Sequence, residues 1–166
     1  GPRPTLEEIG SATPPSKKSH RDEHSRLTGQ SLPSQGVWRI NGRALVTDVP
    51  ITWLGYVNRE TGVIEHPGHP LDGQSVEGRI LIYPKGSGST VAPYVLMGLF
   101  YSGRGPLAIV NRDVCPLTLP ACSLPEIPYA HGFDVDPCLE LNNDDEVDMW
   151  LENGVVTLQT IQSDSR

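Results

Sequence analysis

At 166 residues, the chain has room for one ordinary domain with a real core. Its formal net charge of −7 argues against nucleic acid and anionic membrane surfaces as general partners. No apolar run approaches transmembrane length and no apolar segment follows a basic start, so the chain reads as soluble and cytoplasmic rather than secreted. The leading Gly1-Pro2 reads as a protease scar and is left out of fold reasoning.

Residues 1–35 are rich in Pro, Ser and charged residues and poor in aromatics, which predicts a disordered or partner-docking arm. His20 and His24 within it are spaced i, i+4, a metal-binding spacing only on a helix that this composition does not support. The folded domain is expected over 36–160, with a flexible tail at 161–166.

Val37-Trp38-Arg39-Ile40 alternates as a half-buried strand does. Asn41-Gly42 then reads as a hairpin turn and Arg43–Thr47 as the return strand. Pro50–Val57 is extended and aromatic-rich, Asn58–Gly62 a polar turn, and Val63–Glu65 a short strand. His66 and His69 are three apart, but the interposed Pro67-Gly68 makes this a structural or partner-facing loop rather than a metal site.

The most informative stretch is Gly78–Ser102. Ile80-Leu81-Ile82-Tyr83 predicts a buried strand, Pro84–Thr90 a Gly/Ser-rich turn, and Pro93–Phe100 a helix that stops by Gly103. A turn of this kind before a helix aims unpartnered N–H groups at one point, where an anion is favoured. Gly86 and Gly88 let the backbone approach a ligand, while Ser89 and Thr90 are candidate helix caps. The turn is neither a Walker A loop, since Gly88 stands where Lys is required, nor a dinucleotide fingerprint, since the third Gly is missing.

Leu107–Asn111 predicts a second buried strand, so strand, helix and strand form a βαβ unit with a parallel pair. One or two helical turns over Pro116–Cys122 and a short strand over Ile127–Ala130 follow. The acidic run Asn143–Glu146 lacks EF-hand order and reads as a solvated turn. Val147–Leu151, Asn153-Gly154 and Val155–Leu158 form a closing hairpin. Cys115, Cys122 and Cys138 are odd in number with no CxxC pair, which points to a reducing compartment, buried thiols and no metal site in this chain. The expected fold is α/β: a β/β/α layered domain with a central βαβ unit and flanking β hairpins.

Several segments then occur in order at fitting intervals: Gly42–Val46, Val57–Gly62, His69-Pro70-Leu71 with Gly73, Gly78–Leu81, Gly86–Ser89, Ala108–Arg112 and Ile127-Pro128. Together, over roughly 37–158, they resemble the small subunit, or swivelling domain, of the aconitase X enzymes. The resemblance implies a swivelling β/β/α fold and a role in a hydro-lyase. A larger aconitase-like subunit would hold the iron or iron–sulfur cluster, and this chain would close over the substrate as part of a heterodimer.

It also implies that Ser89 is the catalytic base, with Gly86, Ser87, Gly88 and Thr90 against the substrate. Members of the family dehydrate mevalonate 5-phosphate or cis-3-hydroxyproline. Here Ser87 replaces the arginine usual in the family's turn, and Val91-Ala92-Pro93 replace Thr-Gly-Ser. These changes favour a small hydroxy-carboxylate such as cis-3-hydroxy-L-proline. The alternatives are the small subunit of a phosphomevalonate dehydratase, or a non-catalytic assembly or binding module that kept the fold.

Overall fold

The computed structural model describes residues 25–32, 36–88, 93–115, 118–123 and 126–161. In chain order the elements are β1 (Arg26–Ser31), β2 (Trp38–Val46), β3 (Ile51–Thr52), α1 (Trp53–Tyr56), β4 (Ile80–Tyr83), β5 (Gly86–Ser87), α2 (Pro93–Tyr101), β6 (Ala108–Asn111), α3 (Leu119–Ser123), β7 (Tyr129–His131), α4 (Pro137–Glu140), β8 (Glu146–Glu152) and β9 (Val155–Thr160). Seven strands close into a barrel in the order β1-β7-β6-β4-β2-β8-β9, with β9 returning to β1. β2, β4, β6 and β7 run parallel, while β8, β9 and β1 complete the ring by antiparallel pairing.

The side-chain period of two sorts the strand residues into two cores. Ala44, Val46, Ile80, Ile82, Ala108, Val110 and Ala130 belong to one cluster with Leu27, Val147, Met149, Leu151, Val156 and Leu158, contributed by the antiparallel strands. The alternate residues, Leu45, Leu81, Tyr83, Ile109 and Tyr129, belong to a second cluster with Val95, Leu96 and Leu99 of α2, Trp53 of α1, Cys122 of α3, and the 57–76 segment. β4 and β6 are therefore buried at every residue, as strands covered on both faces are. The result is the expected mixed α/β fold, dominated by sheet, with four short helices among the described residues.

The central βαβ unit is present. β4 pairs in parallel with β6 through Ile80↔Ala108 to Tyr83↔Asn111, and α2 lies between them in sequence. The closing hairpin is also present, with Asn153 at φ 54° and Gly154 at φ 77°, the left-handed pair that a tight β turn demands.

The hairpin expected at Asn41-Gly42 does not form. β2 runs straight through both residues, neither of which has a positive φ, and pairs with β8 on one side and β4 on the other. Gly42 is needed for space instead. A Cβ there would lie 2.9 Å from Leu107 Cδ1 and 3.4 Å from Ile80 Cγ1.

The N-terminal boundary also shifts. The sheet begins ten residues before the expected Gly36, because Arg26–Ser31 closes the barrel between β9 and β7 and buries Leu27. The earlier part of the expected arm, His20 and His24 included, lies outside the described residues, as do 162–166. Val63 and Ile64 make only isolated bridges, to Ser75 and Val57, rather than a strand. The extended reading of Pro50–Val57 breaks at α1, where Gly55 takes φ 90°. The Pro84–Thr90 turn contains the two-residue strand β5, which pairs in parallel with β3.

Candidate functional site

Three parallel strands leave the barrel at the same end, and their exits build the candidate site. The carboxyl ends of parallel strands are where α/β folds place ligands, because the loops there are free to vary over a fixed frame. The exit of β2 leads into β3, that of β4 into β5, and that of β6 into the segment Arg112–Cys115. These exits are hydrogen-bonded to one another. The Ile51 N–H donates to the Lys85 carbonyl (3.2 Å), and the Asp113 N–H donates to the Pro84 carbonyl (3.1 Å).

The Gly-rich stem sits between them. Thr52 Oγ1 and Ser87 Oγ are 2.7 Å apart across the β3–β5 pair. The Gly86 N–H donates to Cys115 Sγ at 3.3 Å. Gly88 is exposed at φ +99°, and a Cβ on it would approach Thr52 Cγ2 to 3.2 Å, so both conformation and space call for glycine. Gly86 is different. It has no positive φ, and its added Cβ would make ordinary contacts at 3.6 Å with Cys115 Sγ and Trp53 Cδ1. Of the expected site residues, Gly86, Ser87 and Gly88 are thus brought together, whereas Ser89 and Thr90 lie outside the described residues.

Beneath the stem is a buried polar layer that sequence reasoning missed. The Trp53 indole N–H donates to Tyr83 Oη (3.2 Å), and that hydroxyl pairs with Thr118 Oγ1 (3.2 Å). Tyr129 Oη donates to Asn111 Oδ1 (2.8 Å) and accepts the Cys115 N–H (3.3 Å). Asn111 Nδ2 donates to the Tyr83 carbonyl (3.1 Å), tying the ends of β4 and β6 together. Burial pushes the Tyr83 and Tyr129 hydroxyls far above the ordinary phenol range, so both stay protonated donors. The available signal was polarity inside otherwise apolar strands. Asn111 ends a β-branched run, and it is fully buried.

The other candidates find structural roles. His69 is buried, accepts the Leu71 N–H at Nδ1 (3.0 Å), and so presents Nε2–H to the Pro50 carbonyl (3.0 Å). His66 stacks on Tyr56 with ring centroids 4.2 Å apart. In the acidic run, Asp144 takes both Arg43 (2.8 Å) and Arg79 (2.6 Å), and Asn143 Oδ1 accepts the Val46 N–H. That turn is therefore a bonded cap on the barrel rather than a merely solvated one.

All three cysteines are buried and none is in a disulfide. Burial, with Cys115 adding, pushes the Cys122 thiol far up, while burial and Asp136 push Cys138 up to about 12, so both are unreactive thiols at neutral pH. Cys122 and Cys138 also sit in different cores. Among the described residues no group of three His, Cys, Asp or Glu could hold a metal ion. An iron–sulfur cluster does not fit the donors described in this chain.

The model for the aconitase X swivel domain matches residues 23–158, a span that begins before β1 and ends within β9. The chain belongs to the aconitase X swivel-domain family. Phosphomevalonate dehydratase small subunits are among its curated relatives. The one from Pyrococcus abyssi is 37% identical over 106 residues, 63% of this chain and 82% of that one. The one from Methanosarcina acetivorans is 33% identical over 133 residues, 80% of this chain and 90% of that one. The crystal structure of Thermococcus kodakaraensis aconitase X in its holo-form superposes with a TM-score of 0.70 at 29% identity, over 81% of this chain and 98% of that one. The names of these swivel-domain relatives favour the phosphorylated-substrate alternative over the hydroxyproline reading that the altered turn suggested. Among the described residues, no helix of this family member is long and apolar enough to cross a membrane.

Proposed function

We propose that this chain is the small subunit of a phosphomevalonate dehydratase and acts with a larger aconitase X subunit. The observation that carries the reading is its likeness to a subunit of that name over 90% of the relative's length. The pinned Gly86–Gly88 stem at the carboxyl ends of β2, β4 and β6 supports it. Dehydration beside a carboxylate needs a base for the acidic C–H, assistance to the leaving hydroxyl, and exclusion of water. This chain's share would be the base. Ser89, the residue after Gly88, is the proposed one, and N–H groups of the turn would stabilise its alkoxide. Ser87, Gly88 and Thr90 would face the substrate, with the buried Gly86 anchoring them from behind. The larger subunit would supply the iron or iron–sulfur centre, and with it the cation lost where Ser87 replaces the family's arginine.

The test is reconstitution with the larger aconitase X subunit from the same genome, followed by assay of mevalonate 5-phosphate and cis-3-hydroxy-L-proline separately. Loss of water from the phosphorylated acid alone is the expected result. Turnover of the proline alone would transfer the reading to the other substrate class. A stable complex that turns over neither would favour the non-catalytic module suggested by Val91-Ala92-Pro93.

A further inference from the structure

The stem of the Gly-rich turn is held by residues far from it in sequence, and they form one chain of contacts. Asn111 is locked by donating Nδ2 to the Tyr83 carbonyl. Its Oδ1 takes the Tyr129 hydroxyl hydrogen, and Tyr129 Oη takes the Cys115 N–H. Cys115 then meets Gly86 from below. Its sulfur accepts the Gly86 N–H at 3.3 Å and faces the Gly86 carbonyl at 4.0 Å. Cys115 is 2% exposed and Tyr129 fully buried, so neither can touch a substrate. The Cys115 sulfur meets instead the one residue from which the turn departs, and the Tyr129 hydroxyl holds the Cys115 main chain.

We propose that Cys115 and Tyr129 are positioning residues: acting through the Gly86 backbone, they hold the Gly86–Gly88 stem in place. A thiol suits the place because it is large enough to reach Gly86, accepts an N–H, and tolerates a dry setting better than a hydroxyl does. Tyr129 acts one step further back, holding the Cys115 main chain so that the sulfur stays under the stem. The consequence for turnover rests on the dehydratase reading given above, whereas the clamp itself does not.

The test reads the two separately. Amide hydrogen exchange is followed by NMR on the full chain for the wild type, Cys115→Ala, Cys115→Ser and Tyr129→Phe. The amides of Leu81 and Ile109 report global opening. Exchange at Gly86 is expected to accelerate on the order of tenfold in Cys115→Ala and Tyr129→Phe, the loss of one ordinary hydrogen bond. Any rise at Leu81 and Ile109, such as the global loss in Tyr129→Phe produces, is divided out, so that the expected tenfold is the acceleration at Gly86 beyond theirs, and Cys115→Ser should fall between wild type and Cys115→Ala. An unchanged Gly86 rate would overturn the proposal, and so would acceleration only in step with the two reference amides.

In the reconstituted complex the same variants should lower kcat in the same order with KM retained. A raised KM at unchanged kcat would overturn the positioning role. If Gly86 responds as expected but the wild-type complex dehydrates neither substrate, the dehydratase reading fails and the clamp stands.

Discussion

In the parallel half of the barrel, β4 and β6 are buried at every residue, whereas in the antiparallel half β8 alternates buried with exposed or half-buried positions from Glu146 to Glu152. Both halves fill the same interior. Among the described residues, only the parallel half carries a second layer on its outside, built from α1, α2, α3 and the 57–76 segment. The outside of β8 has instead Trp150 beneath the Arg39 guanidinium (4.6 Å) and an Arg39–Asp148 ion pair. A strand covered on both faces cannot slide or tilt, so loops leaving its end inherit a fixed frame. That is why the Gly-rich stem and its polar support sit on the parallel half.

This contrast predicts the largest difference in stability. Leu81→Ala should lower unfolding free energy by about 2–5 kcal/mol through a cavity in the outer layer. Asp148→Ala, which strips a partner from the outward face of β8, should cost less than about 1 kcal/mol. Urea unfolding of both variants measures the gap, and equal losses would erase the distinction between the halves.

Tyr129→Phe comes next. It leaves the buried Cys115 N–H and Asn111 Oδ1 without a partner, an expected loss of about 1–3 kcal/mol read by the same unfolding curves. A neutral result would mean that the polar layer under the stem contributes nothing to the fold.

The stem itself sharpens the comparison residue by residue. Gly88→Ala should cost about 1–2 kcal/mol, because φ +99° is strained for any Cβ and Thr52 stands at 3.2 Å. Gly86→Ala should be neutral or stabilising by up to about 1 kcal/mol, since its backbone is ordinary and its nearest neighbours lie at 3.6 Å. Thermal melting of the two variants checks the order.

The smallest effect is at the end of β7. Partial burial holds the His131 pKa below its ordinary 6.5. The unfolded chain therefore takes up this proton first as pH falls. The His131 contribution is intact above about pH 6.5 and is lost as pH drops through that value toward the depressed folded one. The urea midpoint should fall slightly between pH 7.5 and pH 5, and His131→Gln should flatten that part of the profile.

What the sequence revealed follows the same division. Ile80–Tyr83 and Ala108–Asn111 were legible because strands buried on both faces are continuously apolar. Asn153-Gly154 was legible because the local motif and the tertiary pairing agree there. Asn41-Gly42 misled because β8 holds both residues extended, and long-range pairing outweighs a two-residue preference. β1 was hidden in a polar arm. Of Arg26–Ser31 only Leu27 is buried, and the strand's partner β9 lies about 130 residues away in the chain. The Gly-rich turn stood out by composition, but its support did not. Asn111, Cys115 and Tyr129 share no spacing rule with Gly86, and only the closed sheet brings them together.

The claim that the turn at the carboxyl end of the parallel half is this chain's contribution to catalysis is tested most directly at Ser89. Ser89→Ala and Thr90→Ala are compared in the reconstituted complex, with turnover of mevalonate 5-phosphate and melting temperature measured for each. Ser89→Ala should lose on the order of 10²–10⁴-fold in rate. Its melting temperature should stay within the few degrees that about 1 kcal/mol allows, and Thr90→Ala should retain most activity. Equal, mild losses for the two variants would contradict the account and move the base to another residue.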